Sequence, residues 1–200
     1  MPTSRFSNFR FHREPAWRQF KRVPETVVPQ PWRAWLLDQG SLTQRILDAC
    51  EGDFRLEVLN QRLELPRLSE MRALSLPSRQ LALIREIVMY GKGEPWVYAR
   101  SVIPLTTLTG RLRSLRKLDN RPLGAMLFKD PSMTRKPMEI ACLAGDNSQF
   151  PEALGKLDVP MWGRRSVFCL DRKPLLVSEI FLPAFAPYNQ TLPIGFPRKA

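Results

Sequence analysis

Two apolar runs, residues 79–91 and 94–105, are joined by the loop segment Gly91-Lys92-Gly93-Glu94-Pro95, and this pairing constrains the fold more than any other feature of the chain. A loop that short, with glycine to supply positive φ, closes an antiparallel hairpin. A second pair of runs, 162–170 and 174–183, flanks Asp171, Arg172 and Lys173 and predicts a second hairpin. Helical spacing is confined to short stretches: 32–37, then LTQRILDAC behind Ser41 as N-cap with a stop at Gly52, then 108–118 and the run after Pro122. From Phe54 the chain alternates like a half-buried strand until Leu59 blurs the pattern; a polar connection follows, and residues 133–143 return to a strand pattern. This order predicts an α+β class, a single domain built on an antiparallel β-sheet with helices packed on it.

Boundaries follow from proline and charge. Residues 1–30 carry Pro2, Pro15, Pro24 and Pro29 and a modest basic cluster, and read as an N-terminal extension; the domain proper occupies 31–190, and 191–200 form a C-terminal tail. Residues 145–160 read as a loop.

Composition excludes several classes of chemistry. With 44% hydrophobic and 25% charged residues, the chain can build an ordinary core without a staple. Cys50, Cys142 and Cys169 are odd in number and far apart, and His12 is the one histidine. Metal sites that need clustered imidazoles, disulfide frameworks and histidine-based triads therefore have almost nothing to draw on, and no metal is expected. No run is long enough to span a bilayer, and the first 17 residues lack the apolar segment of a secretory signal, so a cytoplasmic monomer without membrane insertion is expected; the same Arg-rich, acid-poor start also fits an organellar leader. The net charge of +12 favours anions. Because the basic residues are scattered rather than gathered into one helix with exposed aromatics, no nucleic acid is expected, and a small dianion suits the charge as well.

Strand phase singles out two residues. Arg85 shares a face with Leu81, Leu83, Ile87 and Met89, and Glu179 with Leu175, Val177 and Phe181. A charge among such neighbours must be satisfied, since an unpaired one costs several kcal/mol on the order-of-magnitude scale of buried ions. Three readings are open: an ion pair between Arg85 and Glu179, strands twisted enough for both to reach solvent, or a ligand pocket. In the last, the arginine fork would match a carboxylate and the glutamate would face a hydroxyl or carry a proton.

The chain also resembles the chorismate pyruvate-lyases of bacterial ubiquinone biosynthesis. The likeness runs from about residue 35 to 183 on ordered motifs: WLLDQGSLTQRI at 35–46, IREI at 84–87, GEPWVYARSVIPLTTLTG at 93–110, RPLGAMLF at 121–128, TRKPMEI at 134–140, WGRRS at 162–166 and PLLVSEIFLP at 174–183. The resemblance implies a chorismate lyase-like fold and a cofactor-free enzyme that converts the small-molecule substrate chorismate to 4-hydroxybenzoate and pyruvate. It also implies roles by position. Arg85 grips the ring carboxylate, Glu179 lies at the hydroxyl and ether side, and Leu42 and Leu123 close the pocket and offer backbone contacts; Leu42 stands where Met is common. Arg85 and Glu179 are the implied catalytic pair. Arg135, Arg164 and Arg165 fall in matched motifs and read as structural or steering charges. The alternative is a non-catalytic domain of the same fold that binds an aromatic acid as effector, as in some bacterial transcription regulators, though residues 1–30 are too Pro-broken to supply a helix-turn-helix.

Overall fold

The computed structural model describes residues 14–20, 27–144, 150–155 and 157–189. In chain order its strands are β1 (Arg18–Gln19), β2 (Phe54–Glu64), β3 (Ala82–Gly91), β4 (Glu94–Pro104), β5 (Thr134–Arg135), β6 (Glu139–Leu143), β7 (Met161–Leu170) and β8 (Lys173–Phe181). Its α-helices are α1 (Gln30–Leu36), α2 (Leu42–Ala49), α3 (Leu68–Leu74) and α4 (Leu123–Leu127), and a 3-10 helix spans Gly110–Lys117. All strands join one antiparallel sheet in the order β1-β6-β7-β8-β4-β3-β2, with β5 also on β7. The α+β class with an antiparallel sheet is therefore as the sequence predicts.

Both predicted hairpins form, and each closes on two residues of positive φ. Lys92 and Gly93, at φ 52° and 80°, join β3 to β4, while Asp171 and Arg172, at 48° and 62°, join β7 to β8. Positive φ at both loop positions matches the right-handed twist of the flanking strands. Gly91, within β3, is required by packing: a Cβ there would fall 2.4 Å from the Trp96 ring. The hairpins meet through β4 and β8, which pair Ala99 with Glu179 and Ser101 with Val177.

Four local differences from the sequence reading have physical causes. Leu59 blurs the alternation because the β2–β3 register shifts between Val58 and Asn60, a bulge after which β2 runs on to Glu64. The expected polar connection contains α3, whose Glu70 side chain accepts from the Arg67 N–H at 2.8 Å. Residues 133–143 form two strands, because Pro137 has no N–H to donate and the register against β7 slips by one between Arg135 and Glu139. Leu81 lies outside β3 and is 42% exposed, so it does not share the buried face of Arg85. The described part of the N-terminal extension lies along the sheet: β1 pairs with β6, and Glu14 accepts from the N–H groups of Leu68 and Ser69. The first 13 residues of that extension and the 191–200 tail lie outside the described residues, as do 145–149 and residue 156 within the 145–160 stretch.

Both faces of the central strands are covered. On one face two apolar clusters sit end to end. The first packs Trp35, Leu36 and Ile46 of α1 and α2 on Met89, Val97 and Phe181; the second packs Leu112, Leu115, Leu123 and Leu127 on Leu83, Ile103, Phe168 and Leu175. Each such leucine contributes about 1.5–3 kcal/mol when fully buried. On the other face Arg100 is buried between Glu70 and Glu86, with Tyr98 donating to Glu86 at 2.6 Å. Tyr98, Asn60 and Arg100 together hold Glu86 below the usual carboxylate range although burial opposes them.

Candidate active site

The cavity lies at the seam between the two apolar clusters. Sheet register explains its floor: β3 to β7 align Arg85, Ser101, Val177 and Ser166 in one row and Ile87, Ala99, Glu179 and Arg164 in the next. Small side chains at Ala99 and Ser101 keep the middle of the floor low, while long charged ones rise at its sides. Gly40, Leu42 and Thr43 close it from the α2 end and Pro122, Leu123, Gly124 and Leu127 from the α4 end. Arg85, Glu179, Leu42 and Leu123, the four residues singled out by sequence, thus line one cavity. Its free volume is about 30 Å³, room for roughly two waters.

Arg85 is 1% exposed. Its Nη2 donates to the carbonyl oxygens of Asp119 at 2.7 Å and Arg121 at 3.2 Å. Nε and Nη1 are buried and find no acceptor among the described residues. Burial pushes this guanidinium's pKa down, with the Asp119 charge acting against the shift. Two guanidinium nitrogens without acceptors, on a residue that lines the cavity, leave donors for an incoming carboxylate.

Glu179 is not the partner of Arg85, so the ion pair left open by the sequence does not form. Its Oε2 accepts from Arg164 Nε at 2.7 Å. Arg164, 1% exposed, also donates through Nη1 to the carbonyl oxygens of Trp35 at 2.7 Å and Asp38 at 3.1 Å, which fastens the end of α1 to β7. That structural role matches the sequence reading of Arg164; its place in the cavity wall does not follow from it. Arg165 points to the other face, where it donates to Glu139 at 2.7 Å and lies over the Trp17 ring.

Arg135 also enters the cavity wall. Its Nε donates to Ser166 Oγ and its Nη1 to the Gln39 carbonyl oxygen, both at 3.0 Å, and its guanidinium lies 4.9 Å from the centre of the Phe168 ring. Burial, then repulsion from Arg164, brings its pKa down to about 10, with Glu179 and Asp38 opposing. Among the described residues no three His, Cys, Asp or Glu side chains gather where they could hold a metal ion, and no helix is long and apolar enough to cross a membrane.

Comparison with known proteins adds a family. A family model described as chorismate lyase matches residues 15–191, so the match takes in the sheet-bound part of the N-terminal extension. The chain is 42% identical over 168 residues to a probable chorismate pyruvate-lyase of Aromatoleum aromaticum, covering 82% of this chain and 90% of the relative. With its namesake from Marinobacter nauticus it shares 41% over 157 residues, 78% of each. In fold it is similar to the effector binding domain of a Bacillus subtilis trehalose repressor, at a TM-score of 0.51 and 11% identity, covering 73% of this chain and 99% of that domain.

Proposed function

This chain belongs to the chorismate lyase family, and from that premise we propose that it is a carbon-oxygen lyase that splits chorismate into 4-hydroxybenzoate and pyruvate. The reaction needs no water: the substrate's atoms divide completely between the two products. The C–O bond between the ring and the enolpyruvyl group breaks, the hydrogen on the neighbouring hydroxyl-bearing ring carbon leaves that carbon, and the enol methylene gains a hydrogen to become the methyl of pyruvate. Aromatisation of the ring drives the step.

One observation supports this reading above the others: Arg85, two of whose buried nitrogens have no acceptor, lines the same cavity as Glu179, across a floor of Ala99 and Ser101. Arg85 and Glu179 stand two strands and two residues apart, which sheet spacings make about 12 Å between Cα atoms. Between side chains reaching inward from those positions, a benzene ring with a carboxylate at one end and a hydroxyl at the other spans the distance once α2 and α4 give way. Arg85 then anchors the ring carboxylate, Glu179 faces the hydroxyl and ether side, and Leu42 and Leu123 at the first turns of α2 and α4 close over the ring and meet it through their backbone. Held in that conformer away from water, the ring hydrogen can pass to the methylene through a six-membered transition state, or Glu179 can relay it. The enzyme works as a cytoplasmic monomer and supplies 4-hydroxybenzoate to ubiquinone biosynthesis.

The purified protein mixed with chorismate alone should release 4-hydroxybenzoate and pyruvate in equal amounts, measured by ultraviolet absorbance and a coupled pyruvate assay. Tight binding of 4-hydroxybenzoate without turnover of chorismate would instead identify an effector-binding domain.

A further inference from the structure

The charges that line the cavity are three guanidiniums, Arg85, Arg135 and Arg164, against one carboxylate, Glu179. Arg164 and Glu179 are committed to each other at 2.7 Å. Two cations remain, and chorismate carries two carboxylates, one on the ring and one on the enolpyruvyl group. The product 4-hydroxybenzoate keeps only the first.

We propose that Arg135 receives the enolpyruvyl carboxylate of chorismate and is thereby the residue by which the site distinguishes substrate from product. This rests on the chorismate-lyase reading of the site. Arg135 bonds Ser166, which ends the sheet row that begins with Arg85. The two cations therefore flank the cavity from opposite sides, with Glu179 on the strand between. Arg85 holds the end of the ring that stays, and Arg135 holds the fragment that leaves. Arg135 also borders an outer recess with Leu37, Gln39 and Met138. Its neighbours leave it short of negative charge: it donates to a hydroxyl and a carbonyl, and Arg164 repels it. An anionic ligand supplies what the protein does not.

When the ether bond breaks, the carboxylate held by Arg135 departs with pyruvate, and no contact of Arg135 persists with the product ring. A loss at Arg135 must then separate two constants that a loss at Arg85 would move together. In Arg135→Met, which keeps an apolar stem against Phe168, kcat/KM for chorismate should fall at least about tenfold while the inhibition constant of 4-hydroxybenzoate stays within about twofold. Arg135→Lys should recover part of the loss, since it keeps the charge without the fork. Should Arg135 serve only to tie the Gln39 loop to β7, both constants will weaken together in both variants, and the proposal is overturned; it is equally overturned if neither constant moves. A wild-type protein that fails to turn over chorismate would sink the parent reading instead, which keeps the two failures apart.

Discussion

Arg85 and Arg164 are both buried guanidiniums on one face of the sheet, yet their surroundings give opposite expectations for their removal. Arg164 is engaged through two nitrogens, with Glu179 on Nε and two carbonyl oxygens on Nη1. Replacing it with leucine strands a partly buried carboxylate and frees the end of α1, and should cost on the order of 3 kcal/mol in denaturant unfolding. Arg85 is half engaged, and its Nε and Nη1 carry an unmet demand for an acceptor. Arg85→Met should therefore hold stability within about 1 kcal/mol of the parent or raise it. The same change removes a charge-assisted bond of about 2 kcal/mol to a bound carboxylate, a loss of roughly thirtyfold in affinity for 4-hydroxybenzoate by calorimetry. A sharp drop in the stability of Arg85→Met with ligand affinity intact would show that the residue is structural. At Glu179 the proton is the question. Glu179→Gln keeps the shape but not the charge, and a fall in kcat of about a hundredfold or more with product binding retained would assign it the proton transfer. Near-normal turnover would leave the direct hydrogen shift.

The two hairpins set which residues can meet, and their turns carry the strain of that arrangement. Arg172 sits at φ 62° with a full side chain, a conformation that costs a non-glycine residue roughly 1–2 kcal/mol, against 0.5–1 kcal/mol of extra chain entropy lost by glycine. Arg172→Gly should raise stability by about 0.5 kcal/mol and leave turnover unchanged, as read by thermal unfolding and steady-state rates; a fall in melting temperature would mean that the Arg172 side chain contributes contacts that outweigh the strain. The same turn explains what was legible in the sequence. Once Leu170 faces Lys173, counting back along both strands places Arg164 opposite Glu179, so the true partner of that glutamate was available from hairpin arithmetic. The first hairpin defeats such counting: Gly91 faces Glu94, but the register shifts between Met89 and Tyr90, so that Arg85 meets Ser101 rather than Arg100. Phase alone was enough to put Arg85 and Glu179 on the covered face. The position of α3 was not legible, since its seven residues carry no strong period and their helix is fixed by Glu70 reaching both the Arg67 N–H and Arg100. Nor was the role of Arg135, which depends on β5 joining β7 beyond the interruption at Pro137.

At the scale of the whole molecule, the segments that cover the cavity from the α2 and α4 ends make passage of ligand a conformational problem. With about 30 Å³ of free space the cavity is tight for a substituted benzene ring, so α2 and α4, its roof, should give way as the ring enters and leaves. The roof segment from the 3-10 helix through α4 is clasped at its base by one side chain. Arg111, at its start, donates to Asp130 at its end, to Ser132, and to Asp171 in the β7–β8 turn. Asp130 is held well below the usual carboxylate range by Arg111 first and then by Ser132. A carboxylate with a depressed pKa contributes fully above its unfolded value and loses that contribution as pH falls through its folded one, so the clasp is at full strength near neutral pH. With the roof clasped and Arg85 still matched to the product's carboxylate, release should limit the rate. Rapid mixing of the wild type with chorismate should give a burst of about one 4-hydroxybenzoate per enzyme followed by a slower phase, and added 4-hydroxybenzoate should inhibit. Arg111→Ala leaves the cavity lining intact but unties the segment at its base. It should speed the slow phase, weaken inhibition by 4-hydroxybenzoate and raise amide exchange across residues 110–130, with the burst rate unchanged. Linear progress curves in the wild type, without slowing as product accumulates, would mean that the roof is no barrier; a burst that Arg111→Ala leaves untouched would place the barrier at the α2 end, where Thr43 meets Gly124.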